Sequence, residues 1–176
     1  MSPPNVPSDP HNQQKLYWDE MINLKAAASY VDLYRNSRGK WVKNLGILRA
    51  VASSSSIAGW AVWGKELFVL WASIIAASQV VDATKDLFPF AKEHKAASAY
   101  SITLRYLLND AELEWDGVFS GRFTDEEIMK RRHKLRKLRI EAENRNFPDG
   151  LVAVPVLLIQ AEDEAEIYFK TTYGVN

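Results

Sequence analysis

Equal numbers of basic and acidic side chains, 22 of each among 176 residues, leave no net field to draw the chain to nucleic acid. The absence of cysteine excludes disulfides, thiolate catalysis and cysteine zinc sites, and it suits a cytosol-facing protein. A mean hydropathy of -0.23 averages a long uncharged middle with polar flanks, so the chain is better read segment by segment.

Residues 1–14 carry Pro3, Pro4, Pro7 and Pro10 among small polar side chains and read as a disordered tail, without the apolar stretch of a signal peptide. Residues 15–43 are the predicted N-terminal cytosolic helix. Its regular part starts near Gln13 and reaches about Asn36, with Tyr17, Met21, Leu24, Ala28 and Val31 at alternating spacings of four and three. That spacing gives a coiled-coil-like stripe. Asn36-Ser37-Arg38-Gly39 either breaks the helix or is run through.

Residues 44–90 organise the rest. Ala50 to Gly64 is free of charge, Lys65-Glu66 interrupts, and Leu67 to Val81 is again uncharged, which reads as an antiparallel helical hairpin turning at 64–66. Each uncharged run is shorter than the roughly 20 apolar residues of a spanning helix. The aromatic residues extend the measurement. Trp41 to Trp63 covers about 33 Å of helix at ~1.5 Å per residue, and Phe68 to Phe88 about 30 Å. Both approach a hydrocarbon core of about 30 Å edged by aromatic belts. A bilayer hairpin and the core hairpin of a soluble bundle are both open on length, and the belts favour the bilayer.

In such a hairpin, positions whose numbers sum to about 130 lie level. Arg49 and Asp82 then fall within one position of each other as an intramembrane charge pair. Ser53, Ser54, Ser55 and Ser56 face Ala76, Ala77 and Ser78, small residues that let two backbones approach. With Ser73, Ser78 and Gln79, these serines are candidates for pore lining or helix packing. Packing is the more economical local reading, because serine in a membrane helix commonly bonds its own i−4 carbonyl. Arg35, Arg38, Lys40, Lys43 and Arg49 precede the first span, while the far loop has only Lys65, offset by Glu66. The positive-inside rule therefore puts both termini in the cytoplasm.

Residues 91–176 form a cytosolic helical region. A helix over about 92–115 presents Ala97, Tyr100, Leu104, Leu107, Ala111 and Trp115 on one face. Thr124 and Glu127 make a capping box for a helix reaching about Arg145, with Ile128, Leu135, Leu138 and Ala142 inward. Phe147-Pro148-Asp149-Gly150 is a turn. Leu151 to Ile159, interrupted by Pro155, reads as a buried extended segment or coil, and an acidic helix follows from about Gln160 to Thr172. The predicted fold class is therefore all-α: a two-helix transmembrane hairpin with long cytosolic helices forming a coiled-coil-like bundle.

Nothing in the chain predicts an enzyme. His11, His94 and His133 are scattered, phosphate loops and nucleophile elbows are absent, and the serine run has no histidine near it. No catalytic residue, cofactor or metal ligand is assigned. The run from Lys130 to Arg139 is the densest charge feature. Glu126–Lys130, Glu127–Arg131, Lys137–Glu141 and Arg139–Glu143 are candidate i,i+4 pairs, leaving Arg132, Lys134 and Arg136 unmatched. Pairing with the acidic last helix (Glu162, Asp163, Glu164, Glu166) is the favoured use of these three. Anionic lipid and a phosphate-bearing ligand follow.

The order of parts resembles the SLATT proteins, two-transmembrane effectors associated with bacterial nucleotide-second-messenger defence. The resemblance rests on the alanine-bearing first helix with Tyr30, on Arg35 and Trp41 before the hairpin, on the long helices after it, and on Ala165, Tyr168 and Phe169 near Tyr173-Gly174. It implies a homo-oligomeric pore in the bacterial inner membrane that permeabilises the lipid bilayer on phage infection. It also implies a nucleotide-sensing or nucleotide-synthesising function, expected to come from a partner protein or to be replaced by a directly bound ligand. The alternative is a membrane-anchored or soluble helical scaffold without conductance.

Overall fold

The computed structural model describes residues 10–58, 73, 76, 79, 80 and 89–174. Among these the chain is all-α, with no strand, and its four helices are α1 (Pro10–Ala58), α2 (Phe90–Phe119), α3 (Asp125–Asn146) and α4 (Pro155–Tyr173). Two units are distinguished: Met1–Tyr34 with Ala96–Asn176, and Arg35–Lys95. No helix among the described residues is long and apolar enough to cross a membrane. Of the predicted hairpin, 59–72, 74, 75, 77, 78 and 81–88 lie outside the described residues.

The first unit is built from the predicted stripes. Tyr17, Met21, Leu24, Ala28 and Val31 of α1 are all buried, and so are Ala97, Tyr100, Leu104, Leu107 and Ala111 of α2. Ile128, Leu135 and Ala142 of α3 join them at a spacing of seven, and Ala161, Ala165 and Phe169 of α4 at four. Burial of these apolar faces against one another is the main term stabilising the bundle. Leu138, expected inward, is 37% exposed. The next residue, Arg139, takes the inward position instead and faces a carboxylate on α1.

Each joint has a local cause. Thr124 caps α3 as expected: its hydroxyl accepts from the Glu127 N–H, and the Glu127 carboxylate accepts from the Thr124 N–H at 2.8 Å. The extended or coiled reading of 151–159 is corrected at its second half. Pro155 occupies the first turn of α4, where its missing N–H is one of the donors a helix leaves free anyway. Residues 151–154 remain irregular, clamped by the Tyr30 hydroxyl, which donates to the Val152 carbonyl and accepts from the Val154 N–H. Gly174 closes α4 at φ 65°, a conformation that suits glycine.

In the second unit, α1 runs through Asn36-Ser37-Arg38-Gly39 without a break. Gly39 serves approach rather than termination, since a Cβ there would come within 3.2 Å of the His94 ring.

Candidate functional site

Two arrangements within the described residues bear on function: the polar clamp inside the bundle, and the contacts between Arg38–Trp41 of α1 and Phe90–Glu93 of α2.

The clamp grows from carboxylates that sit on or beside apolar stripes. Glu20 lies next to Met21 on the buried face of α1 and is 1% exposed. Its Oε2 accepts from Arg136 Nη2 at 2.7 Å and Nε at 3.2 Å, and its Oε1 faces Arg139 Nη1 at 3.5 Å. A buried carboxylate needs such partners, because desolvation penalises an unmatched charge heavily. A second group joins Tyr17, whose hydroxyl donates to Glu114, to Arg131, which binds the other Glu114 oxygen at 2.8 Å. The Arg131 guanidinium also lies over the Phe123 ring at 3.9 Å. Asp32 accepts from Ser101 and Arg105, Glu143 from Tyr100, and Glu112 from Tyr168.

Three of these tyrosines are held neutral. Burial pushes the Tyr17 and Tyr100 phenols far above their ordinary value, with Glu114 and Glu143 adding to it. Tyr168 is pushed up to about 12, chiefly by its hydrogen bond to Glu112. Phenols so displaced are structural donors rather than acid–base catalysts near neutrality.

The basic run of α3 is thereby divided. Glu126–Lys130 and Lys137–Glu141 form as i,i+4 pairs at 2.7 and 3.8 Å. Arg131 and Arg139, expected to pair with Glu127 and Glu143, reach across to Glu114 on α2 and Glu20 on α1, and Arg136, expected to meet the acidic last helix, binds Glu20 as well. The last helix keeps its own pair, Glu166–Lys170, which holds the Glu166 carboxyl below its ordinary value. Of the three candidate lipid or phosphate contacts, Arg136 is bound to Glu20, Lys134 is exposed, and Arg132 is half-buried with its Nε lacking a hydrogen-bond partner among the described residues.

At the predicted base of the hairpin, Arg38 Nε binds Glu93 Oε2 at 2.8 Å, and the Trp41 and Phe90 rings stack with centroids 5.8 Å apart. In both pairs the residue numbers sum to 131. Arg38 also lies over the Phe90 ring at 5.3 Å. Beyond these contacts α1 turns apolar side chains outward, with Val42 38% and Ile47 53% exposed. Arg49 and Ser53–Ser56 lie on α1, Ser73 and Gln79 are helical and exposed, and Ser78 and Asp82 lie outside the described residues.

One concave surface was not anticipated. Trp18 meets Trp115, Phe169 and Tyr173 at centroid distances of 4.9, 5.0 and 5.1 Å. Beside this cluster a cleft of about 460 Å³ is lined by Gln14, Lys15, Trp18, Trp115, Asp116, Phe119 and Tyr173. The signal lay in the sequence as Trp18 directly after Tyr17 and Trp115 at the end of the α2 stripe. Among the described residues no three histidine or acidic side chains converge to hold a metal ion. No family model, curated protein or solved structure matches the chain.

Proposed function

We propose that residues 44–90 are a two-span membrane hairpin, that the bundle is its cytosolic part, and that oligomers of the protein permeabilise a bacterial inner membrane. The observation that carries this reading is the base of the hairpin. Trp41 stacks on Phe90 and Arg38 pairs with Glu93 in the register of an antiparallel pair turning near 64–66. Continued along both arms, a sum of 131 sets Arg49 level with Asp82, so that a costly intramembrane cation meets an anion. It also sets Ser53–Ser56 level with 75–78. Trp41 and Phe90 then mark one interface, and the outward Val42 and Ile47 enter lipid.

The resemblance to SLATT proteins gives this hairpin its role as an effector of nucleotide-second-messenger antiphage defence, with the trigger supplied by a partner protein. The test is reconstitution of the full chain into vesicles of phosphatidylethanolamine and phosphatidylglycerol holding a self-quenched dye. A pore releases dye, and replacing Ser53–Ser56 with leucine stops the release while leaving the protein in the vesicle fraction. A chain that stays in the aqueous phase without detergent sinks the proposal.

A second reading is favoured by the clamp. The bundle turns most of its buried charges to partners of its own, as a rigid platform would, and a membrane-anchored scaffold needs no more than that. Such a scaffold keeps its function when the four serines become leucine.

A further inference from the structure

The inner face of α2 is fully used by the bundle, but its outer face carries a second regular stripe. Ala99, Ile102, Tyr106, Asn109 and Leu113 follow at spacings of three, four, three and four, all exposed, with Ile102 at 55%, Tyr106 at 69% and Leu113 at 76%. Single exposed apolar residues need no explanation, but a seam on one helix face does. Among the described residues nothing covers it, although the same helix buries its opposite side. The spacing is that of a coiled-coil seam, with Ala99, Tyr106 and Leu113 at a positions and Ile102 and Asn109 at d positions.

We propose that this seam binds a second copy of the chain through a parallel, two-fold pairing of α2 with α2. The flanking charges select that occupant. In a parallel pair each g position meets the partner's e position five residues on. Arg105 is at g and Asp110 at e, so each copy offers its cation to the other's anion, twice by symmetry. Ser98 at g meets Thr103 at e, so no flank brings like charges together, and the next e position, Gly117, is already covered by Phe123 within its own protomer. Asn109 meets its own copy, a polar layer of the kind that fixes register at some cost in stability. Asp116, the next d position, would face another Asp116 and ends the seam.

Arg105 already binds Asp32, yet its side chain is 60% exposed, and a guanidinium has five donors to share. Asp110 is exposed. The parallel sense also lets two copies stand the same way up, as a shared bilayer requires. In that respect it rests on the membrane reading, whereas the seam itself does not.

The cysteine-free chain makes the test direct. Full-length Leu113→Cys, oxidised in detergent with copper phenanthroline, is expected to form a disulfide dimer. Ile167→Cys, exposed on α4 and outside the seam positions, is the control and should form no disulfide. Asp110→Arg on the Leu113→Cys background sets Arg105 against arginine on both sides and should weaken association about tenfold. The same background without that change is the reference.

No cross-link at Leu113→Cys, with the far-ultraviolet spectrum of the unmodified chain retained, overturns the proposal. So does cross-linking only between Ile102→Cys and Leu113→Cys copies, which marks an antiparallel pair. Dye release from vesicles is read separately, so leakage without a Leu113 cross-link removes the seam and leaves the membrane reading standing.

Discussion

Arg136 grips the buried carboxylate of Glu20 from the other side of the bundle, donating from Nε and Nη2 to a single oxygen. The two ends of this contact are unequal. Glu20 is 1% exposed, whereas the Arg136 side chain is 49% exposed, so water can solvate the arginine but not the glutamate.

The asymmetry predicts which deletion costs more. Arg136→Met leaves a buried anion with only Arg139 at 3.5 Å, and should destabilise the bundle by about 3 kcal/mol, the low end expected for breaking a buried pair. Glu20→Met leaves cations that reach solvent and fills the site with an apolar chain of similar size, at a cost of about 1 kcal/mol. Thermal denaturation of the full chain followed by circular dichroism measures both. Equal losses would mean that burial of Glu20 does not set the energy.

The buried tyrosines predict how the bundle fails in alkali. Tyr17 and Tyr100 have folded-state values raised above the ordinary 10.0 of an exposed phenol, by burial and by Glu114 and Glu143. A raised value means the neutral form is favoured on folding. Their contribution is therefore complete below pH about 10 and lost as pH rises past it, where the unfolded chain ionises first. The double variant Tyr17→Phe/Tyr100→Phe should lose about 1–2 kcal/mol at neutral pH, because two hydrogen bonds to carboxylates disappear. It should also show a shallower fall between neutrality and high pH. A variant as alkali-sensitive as the parent would place the titrating groups elsewhere.

What could be read from the sequence follows from what periodicity encodes. The stripes Tyr17 to Val31 and Ala97 to Ala111 were legible because apolar burial imposes a helical repeat, and Thr124–Glu127 because a capping box is a local pattern. The partners of Arg131, Arg136 and Arg139 were not. Glu126–Lys130 is a neighbour relation within one helix, whereas Glu20–Arg136 depends on which helices the bundle sets side by side, and spacing is silent on that. Glu20 itself was a missed signal, since an acidic residue three after Tyr17 and four before Leu24 lies on the buried face and requires a cation. Pro155 interrupts an apolar run in the sequence, yet proline starts a helix as readily as it stops one.

Gly117 sets a preference of the helix against a demand of the packing. Alanine in a helix interior is favoured over glycine by about 1 kcal/mol. A Cβ on Gly117, however, would lie 2.4 Å from the Phe123 ring, and that ring carries the guanidinium of Arg131. Displacing the ring disturbs Arg131 and, through it, Glu114 and Tyr17. Overpacking of this kind costs about 1–3 kcal/mol, so the net effect of Gly117→Ala should be destabilising. Gly117→Ala combined with Phe123→Leu should recover part of the loss. A stabilised single variant in chemical denaturation would show that Phe123 moves aside freely.

The start of α3 gives the clearest acid-side prediction. The Thr124 N–H and hydroxyl both donate to the Glu127 carboxylate, and these two hydrogen bonds are the main reason that its carboxyl sits below the ordinary range. A lowered folded-state value means the ionised form is favoured on folding. This contribution is therefore present above the unfolded carboxyl's value and lost as pH falls through the folded one. Glu127→Gln keeps a side-chain acceptor but not the charge, and should flatten the acid limb of stability while changing little at low pH. Thr124→Ala removes the hydroxyl that accepts from the Glu127 N–H, and should cost about 1 kcal/mol at neutral pH. Amide hydrogen exchange over residues 125–128 localises the effect. Faster exchange in that first turn, with the centre of α3 unchanged, is the expected pattern, because the remaining turns are held by Leu135 and Ala142 in the core rather than by the cap.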